Sequence, residues 1–387
     1  MKKIGLLTTS LALIITANVY AQFQFTEIYD NSEVISWPID FASSPDVPKE
    51  PMVTLNQYFE AGCALFGVHD SELNNSQFFC IHQKSNGNIV GQWFFNSLPL
   101  GADFEGMDYN GKYIFVSSGD DAKSPSWHKG QIWRSERPSL SDCRFYSLTS
   151  PTGNSGVATA DGTAMEEVDG ITFGDNGDIF GWAQEAGLFY VPSPVFNSSS
   201  NQLPNAVLLF NQPGEVEDLE FLNYKLYGIL NIDHLGQAED GDGEPHSGHA
   251  GYPEDVNVAI KTGGVLKANF IEYDLATDDF STPCQQEVLD ALSQKGFQAA
   301  EIEALEVLPR LPGVTKDHML LGFHASNTVG NRIRSTFVIG VLNLDQCNFE
   351  LRSIRNIPGP DSKNRQLDVE GLTMICPSNN SGGGIPG

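Results

Sequence analysis

Apolar and polar positions alternate along this chain in one short form that recurs five times. The copies are Asp103-Phe104-Glu105-Gly106-Met107, Glu167-Val168-Asp169-Gly170-Ile171, Glu215-Val216-Glu217-Asp218-Leu219, Glu301-Ile302-Glu303-Ala304-Leu305 and Asp368-Val369-Glu370-Gly371-Leu372. Each reads acid, apolar, acid, small or Asp, large apolar. Two residues later comes another apolar residue: Tyr109, Phe173, Phe221, Val307 or Met374. A period near two predicts a strand. A second apolar run follows four of the copies: Ile114-Phe115-Val116, Ile179-Phe180-Gly181, Leu226-Tyr227-Gly228 and Leu320-Leu321-Gly322. The first three links, Asn110-Gly111, Asp175-Asn176-Gly177 and Asn223-Tyr224-Lys225, carry hairpin-turn chemistry. The fourth, Pro309 to Asp317, is longer but still rich in turn residues.

The copy at Asp368 has no second strand after it, whereas Leu65-Phe66-Gly67-Val68-His69 is a second strand with no first strand before it. The two orphans complete each other if the last inner strand joins the first blade of a ring. The predicted fold is therefore an all-β, single β-propeller closed by pairing its C-terminal strand with its N-terminal blade. Third and fourth strands are expected over 76–82 with 88–95, 130–135 with 144–149, 187–191 with 206–210, and 336–344 with 348–354. Five copies favour five blades. The 86-residue gap between Glu215 and Glu301 leaves six as the alternative, although Asp233 to Val258 reads as an acidic, Gly-rich insertion.

Residues 1–21 have the form of a signal peptide: Lys2 and Lys3, an apolar run from Ile4 to Thr16, and Val19-Tyr20-Ala21 before the cut. The run is too short to span a membrane, so a secreted or periplasmic protein is expected. Residues 22–60 form an N-terminal extension, 61–376 the propeller and 377–387 a flexible tail.

Charge narrows the partners. The chain has 22 Lys plus Arg against 49 Asp plus Glu, a formal charge of -27. Nucleic acid and anionic lipid both want a basic face, so neither is expected. A small-molecule ligand and a monomer remain. All six cysteines follow the signal segment, and an even number in an oxidising compartment suggests disulfides. Cys376 ends the closing strand and Cys63 begins its expected neighbour, so a Cys63–Cys376 bond would lock the ring; Cys80 is the competitor.

In a propeller the first strand of each blade lines the central channel. The repeat would then place two sets of carboxylates around one channel mouth: Asp103, Glu167, Glu215, Glu301 and Asp368, then Glu105, Asp169, Glu217, Glu303 and Glu370. Crowded carboxylates repel one another and resist ionising. A hard cation resolves this, and calcium accepts six to eight oxygens in loose geometry. The other reading is that these acids accept backbone N–H groups and fix blade geometry.

Asp368-Val369-Glu370-Gly371-Leu372-Thr373, Asp103-Phe104-Glu105-Gly106-Met107 and Glu301-Ile302-Glu303-Ala304-Leu305 resemble the D-x-E-G-L motifs of β-propeller phytases. They are still more similar to the esterase-like phytase family, in which such a strand is followed by a Leu-Pro link, an apolar strand and a Ser/Asn segment. Here the counterparts are Leu308-Pro309, Leu320-Leu321-Gly322 and Ser326-Asn327. The resemblance spans roughly residues 60 to 376. It implies a secreted propeller whose acids bind calcium, and calcium that holds a phosphoester and activates water. Asp218 and Ala304 depart from the motif glycine, and no cluster of Lys and Arg stands out to hold phosphate; Lys123, Lys129, Arg332 and Arg334 are the nearest candidates, each better read as an exposed, solubilising charge. A weaker resemblance, carried by Glu217 to Gly228, is to calcium-activated nucleotidases of the apyrase type, which are five-bladed.

Further residues carry candidate chemistry. His69 and His324 fall at the same place in their blades and are candidate substrate-binding or acid/base groups, although a histidine satisfied by backbone is commoner. Ser117-Ser118-Gly119-Asp120-Asp121 offers oxygens to a metal or forms a turn. His234, His246 and His249 lie among Glu239, Asp240, Asp242, Glu244, Glu254 and Asp255, in a segment better read as a solvated loop than as a cation site. No G-x-S-x-G elbow is present. The sequence thus points to a calcium-dependent phosphoester hydrolase, or else to a non-catalytic propeller that binds a ligand or cell-surface partner with calcium as a staple.

Overall fold

The computed structural model describes residues 24–27, 53–70, 77–95, 104–119, 130–141, 143, 156–165, 167–184, 186–192, 205–211, 216–231, 268–277, 279–281, 283–294, 299–329, 332–353 and 368–377. Strand β1 (Gln24–Glu27) and a short helix, α1 (Leu55–Glu60), precede the first meander. The Thr54 N–H donates to Gln57 Oε1 at 2.8 Å and fixes the start of α1. Strands β2 (Ala64–Asp70), β3 (Gln77–Gln83) and β4 (Ile89–Phe95) form the body of blade one, with β1 added outside β4.

Blade two comprises β5 (Phe104–Tyr109), β6 (Tyr113–Ser118) and β7 (Ile132–Glu136). A small hairpin, β8 (Val157–Ala158) with β9 (Ala164–Met165), leads to blade three. That blade comprises β10 (Val168–Phe173), β11 (Ile179–Ala183), β12 (Gly187–Val191) and β13 (Val207–Asn211). Blade four has β14 (Val216–Leu222), β15 (Lys225–Asn231), β16 (Ala268–Asp274) and β17 (Asp279–Ser281), followed by helix α2 (Gln285–Gln294). Blade five has β18 (Ala299–Val307), β19 (His318–Val329), β20 (Arg332–Asn343) and β21 (Asn348–Ser353).

The last strand, β22 (Asp368–Ile375), does not start another blade. It pairs with β2, from Ala64 opposite Ile375 to Asp70 opposite Asp368, and becomes the inner strand of blade one. Cys63 and Cys376 are joined just beyond this pair. The expected ring, its closure and its lock are all present, and the blades number five. Two more disulfides exist: Cys80–Cys143 ties blade one to the chain after β7, and Cys284–Cys347 ties the start of α2 to the β20–β21 turn.

Packing shows closure independently, because each of the five junctions between blades holds its own apolar seam. Phe66 and Phe78 meet Phe104, Ile114 and Trp133 between blades one and two. Phe115 and Ile132 meet Ile171 and Phe189 at the next. Trp182 and Leu188 then face Leu219 and Ile271, and Ile229 and Phe270 face Leu305 and Phe323. At the last, Leu65 and Ile81 of blade one meet Leu320 and Val341 of blade five, and Tyr58 and Phe59 of α1 fill the seam. Fully burying one such side chain contributes about 1.5–3 kcal/mol, so the seams outweigh any single hydrogen bond.

The 86-residue gap contributes no extra blade among the described residues; it supplies β16, β17 and α2. The 233–258 insertion, the 144–149 strand, the signal segment and the tail lie outside the described residues. The Asn223-Tyr224 turn joins Leu222 to its partner Lys225 with φ of 53° and 63°. Two positive-φ central residues are the signature of a tight hairpin whose twist matches its strands.

Candidate functional site: the carboxylate-lined channel

The inner strands β22, β5, β10, β14 and β18 stand around one axis, and all five share an irregularity. Phe104 pairs with Ser118 and Met107 with Val116; Val168 pairs with Ala183 and Ile171 with Gly181; Val216 pairs with Leu230 and Leu219 with Gly228. The same slip separates Ile302 from Ala304 and Val369 from Gly371. One extra residue is thus inserted in every blade, at the second acid of the motif. A bulge inverts the side-chain alternation beyond it. That is why the apolar residues before and after the acid can share one buried face.

Glu105, Asp169, Glu217, Glu303 and Glu370 therefore occupy the bulges, at one level of the ring. Glu105 is half-buried, whereas Asp169, Glu217 and Glu370 are buried. The Ser117 hydroxyl, one of the oxygens singled out above, donates to the Asp169 carbonyl at 2.7 Å and so caps the neighbouring bulge. Of the first acids, Asp103 and Glu215 lie outside the described residues, as do the side chains of Glu301 and Asp368; so does the side chain of the second acid Glu303. Glu167 stands just before β10, where its carbonyl accepts the Gln184 N–H. The His69 backbone lies opposite Val369 and the His324 backbone opposite Glu301, beside the starts of two inner strands; their side chains lie outside the described residues. So do Lys123, Lys129 and the loop containing His234, His246 and His249.

One residue past the bulge, adjacent blades meet backbone to backbone. A Cβ on Gly170 would lie 2.6 Å from the Leu219 nitrogen, and one on Gly371 would lie 2.5 Å from the Met107 nitrogen. Nothing larger than glycine fits there unless the strands part. Blade four carries Asp218 at this level, with a fully buried side chain. Its carboxylate accepts the backbone N–H of Leu219 and of Leu305, each at 2.9 Å, and also that of Leu372. One side chain thereby binds amides of blades four, five and one. Burial holds its carboxyl well above the usual carboxylate range despite these three bonds.

Two residues further along each strand lies a ring that the acid repeat did not disclose: Asp108, Thr172, Glu220, Glu306 and Thr373, all buried. An inner strand is a sheet edge, and its channel-facing N–H groups have no strand to pair with. The ring residues supply partners from the next blade. Asp108 Oδ2 accepts the Phe173 N–H at 3.0 Å, Thr172 Oγ1 the Phe221 N–H at 3.0 Å and Glu306 Oε1 the Met374 N–H at 2.9 Å. The carboxyl oxygens of Asp108, Glu220 and Glu306 gather within 4.8 Å of one another, the only such acidic group among the described residues. Burial pushes Asp108 up to about 6, against the pull of the Tyr109 and Phe173 N–H groups and the Thr172 hydroxyl. Burial first, and then the neighbouring acids, hold Glu220 and Glu306 well above their ordinary values, and the two carboxyls hydrogen-bond to each other.

No family profile matches this sequence, and no curated protein is similar to it at a significant level. Similar solved structures exist. The periplasmic gluconolactonase PpgL of Pseudomonas aeruginosa is 11% identical, with a TM-score of 0.38, over 81% of this chain and 99% of that one. The Dos1 propeller is 8% identical at a TM-score of 0.30, and the match spans 71% of this chain but 57% of that structure. An apocarotenoid oxygenase of Synechocystis is 10% identical at a TM-score of 0.29, over 76% and 72% of the two chains. Identity and TM-score are too low for these likenesses to bear on function. The blade topology itself defines the fold.

Proposed function

We propose that this protein is an exported, calcium-dependent propeller that hydrolyses a small phosphoester at the mouth of its channel. The observation that carries the reading is the bulge repeated in every blade, which sets Glu105, Asp169, Glu217, Glu303 and Glu370 at one level of the ring. An all-oxygen donor set of this kind suits calcium. The phosphoester class follows from the D-x-E-G-L resemblance. Bound calcium supplies charge neutralisation at a phosphate and a water of lowered pKa. Glu105, the least buried of the described second acids, is the one best exposed to a ligand. Three disulfides fit an oxidising compartment. Among the described residues no helix is long and apolar enough to cross a membrane.

A second reading is a ligand-binding propeller with calcium as a staple. It is favoured by the low exposure of Asp169, Glu217 and Glu370, at 5%, 8% and 7%, which suits acids that hold the ring better than acids that touch a substrate. One paired experiment separates the two. Thermal unfolding in EDTA and in calcium is followed alongside turnover of a phosphoester panel that includes phytate and nucleotides. A calcium-dependent rise in Tm with turnover supports hydrolysis. A rise without turnover supports the binding propeller, and no response to calcium removes both.

A further inference from the structure

We propose that the channel holds a separate, interior calcium ion on Asp108, Glu220, Glu306 and Thr373, below the mouth and independent of any hydrolysis. The three carboxylates come from blades two, four and five, and their nearest oxygens lie within 4.8 Å of one another. Opposite oxygens around one calcium ion stand ~4.6–5.2 Å apart, at ~2.3–2.6 Å from the metal. The three oxygens therefore fit a single ion. Among the described residues none of the three acids pairs with Lys or Arg.

The second observation is Thr373. It fills the fifth place in the same ring, on β22 of blade one, and is 1% exposed. Its hydroxyl has no hydrogen-bond partner. Pseudo-symmetry explains why. Thr172, in the equivalent place, accepts the N–H of Phe221 in the next blade and donates to Asp108. The N–H that Thr373 would accept is that of Tyr109, and Asp108 Oδ1 takes it instead. Glu220 Oε1 and Glu306 Oε2 are also buried without partners. A proton shared between Glu220 and Glu306 satisfies at most the contact between those two carboxyls and leaves the Thr373 hydroxyl, on a third blade, with nothing to bind. One hard cation satisfies all three oxygens. Asp218 and its three amides lie at the level between this ring and the mouth acids, so the ion would exchange slowly.

The test uses the full mature chain and calcium chloride alone. After refolding in calcium and exhaustive dialysis against EDTA at neutral pH, elemental analysis is expected to find one calcium ion per chain. Glu220→Gln combined with Glu306→Gln is expected to abolish it, since the amides keep the shape and remove the charge. Glu370→Gln, at the mouth, is expected to retain it. Should the double variant fail to fold, Thr373→Val removes the one neutral donor; its calcium dissociation constant, measured by titration, is expected to rise about tenfold. No retained calcium in the wild type, retention by the folded double variant, or unchanged affinity in Thr373→Val would each overturn the proposal. Because no phosphoester enters this experiment, retained calcium without turnover leaves the interior site standing while the hydrolase reading fails.

Discussion

Asp218 offers a sharp test of how the ring is held together. Replacing it with alanine introduces no steric problem, because Asp218 already carries a Cβ at this position. The substitution removes one carboxylate and strands three buried donors, the N–H groups of Leu219, Leu305 and Leu372. Each orphaned buried donor costs about 1–3 kcal/mol. Relief from burying a carboxyl group offsets part of the total. The net expectation is a loss of about 3–5 kcal/mol for Asp218→Ala, at the upper end of what single substitutions do. Asp218→Asn keeps one acceptor oxygen with room for two donors, so its loss is expected to stay below about 1.5 kcal/mol. Equilibrium urea unfolding with the disulfides intact, followed by tryptophan fluorescence, measures both. An alanine variant within about 1 kcal/mol of wild type would refute the reasoning. The three amides would then be satisfied by something other than Asp218.

Three further outcomes are expected. Gly371→Ala forces a methyl group to 2.5 Å from the Met107 nitrogen; overpacking of this kind costs about 1–3 kcal/mol or more, read from the urea midpoint. Removing Cys63 and Cys376 together is expected to destabilise more than removing Cys80 and Cys143, because the bonds span 313 and 63 residues. The chain-entropy difference is 1.5RT ln(313/63), about 1.4 kcal/mol, and equal losses would show that ring closure adds nothing. Glu105→Gln is expected to lower phosphoester turnover at least tenfold with little change in Tm, whereas unaltered turnover would exclude this acid from the site.

The architecture is legible because one strand pattern recurs often enough to expose both its copies and its two unpaired ends. The fourth strand of blade four is not, since Asp279–Ser281 is too short to display any alternation. The interior ring escapes for a different reason. Alternation puts Glu220 on the face opposite its neighbours Leu219 and Phe221, where it would look like an exposed acid on a half-buried strand. The ring of inner strands encloses that face and buries it, and ring closure leaves no mark on the alternation of a single strand. The signal was nonetheless present. In all five copies the residue between the two last apolar positions is Asp, Thr or Glu: Asp108, Thr172, Glu220, Glu306 and Thr373. Asp218, read from sequence as a lapse from the motif glycine, is the residue that ties three blades together.

The pairing of β22 with β2 also sets an order of events. Cys376 follows Cys63 by 313 residues, so at a synthesis rate of about 5–20 residues per second the first blade waits roughly 16–60 s for its inner strand. Throughout that interval β2 presents a bare edge. The Cys63 thiol meanwhile meets Cys80 and Cys143 long before its own partner arrives. The ring-closing bond encloses both other disulfides in sequence, so joining cysteines in order of emergence would give Cys63–Cys80, a wrong pair. Where Cys63 is oxidised before Cys376 arrives, maturation requires disulfide exchange, and a cell lacking an isomerase in the compartment where this protein folds is then expected to accumulate the mispaired form.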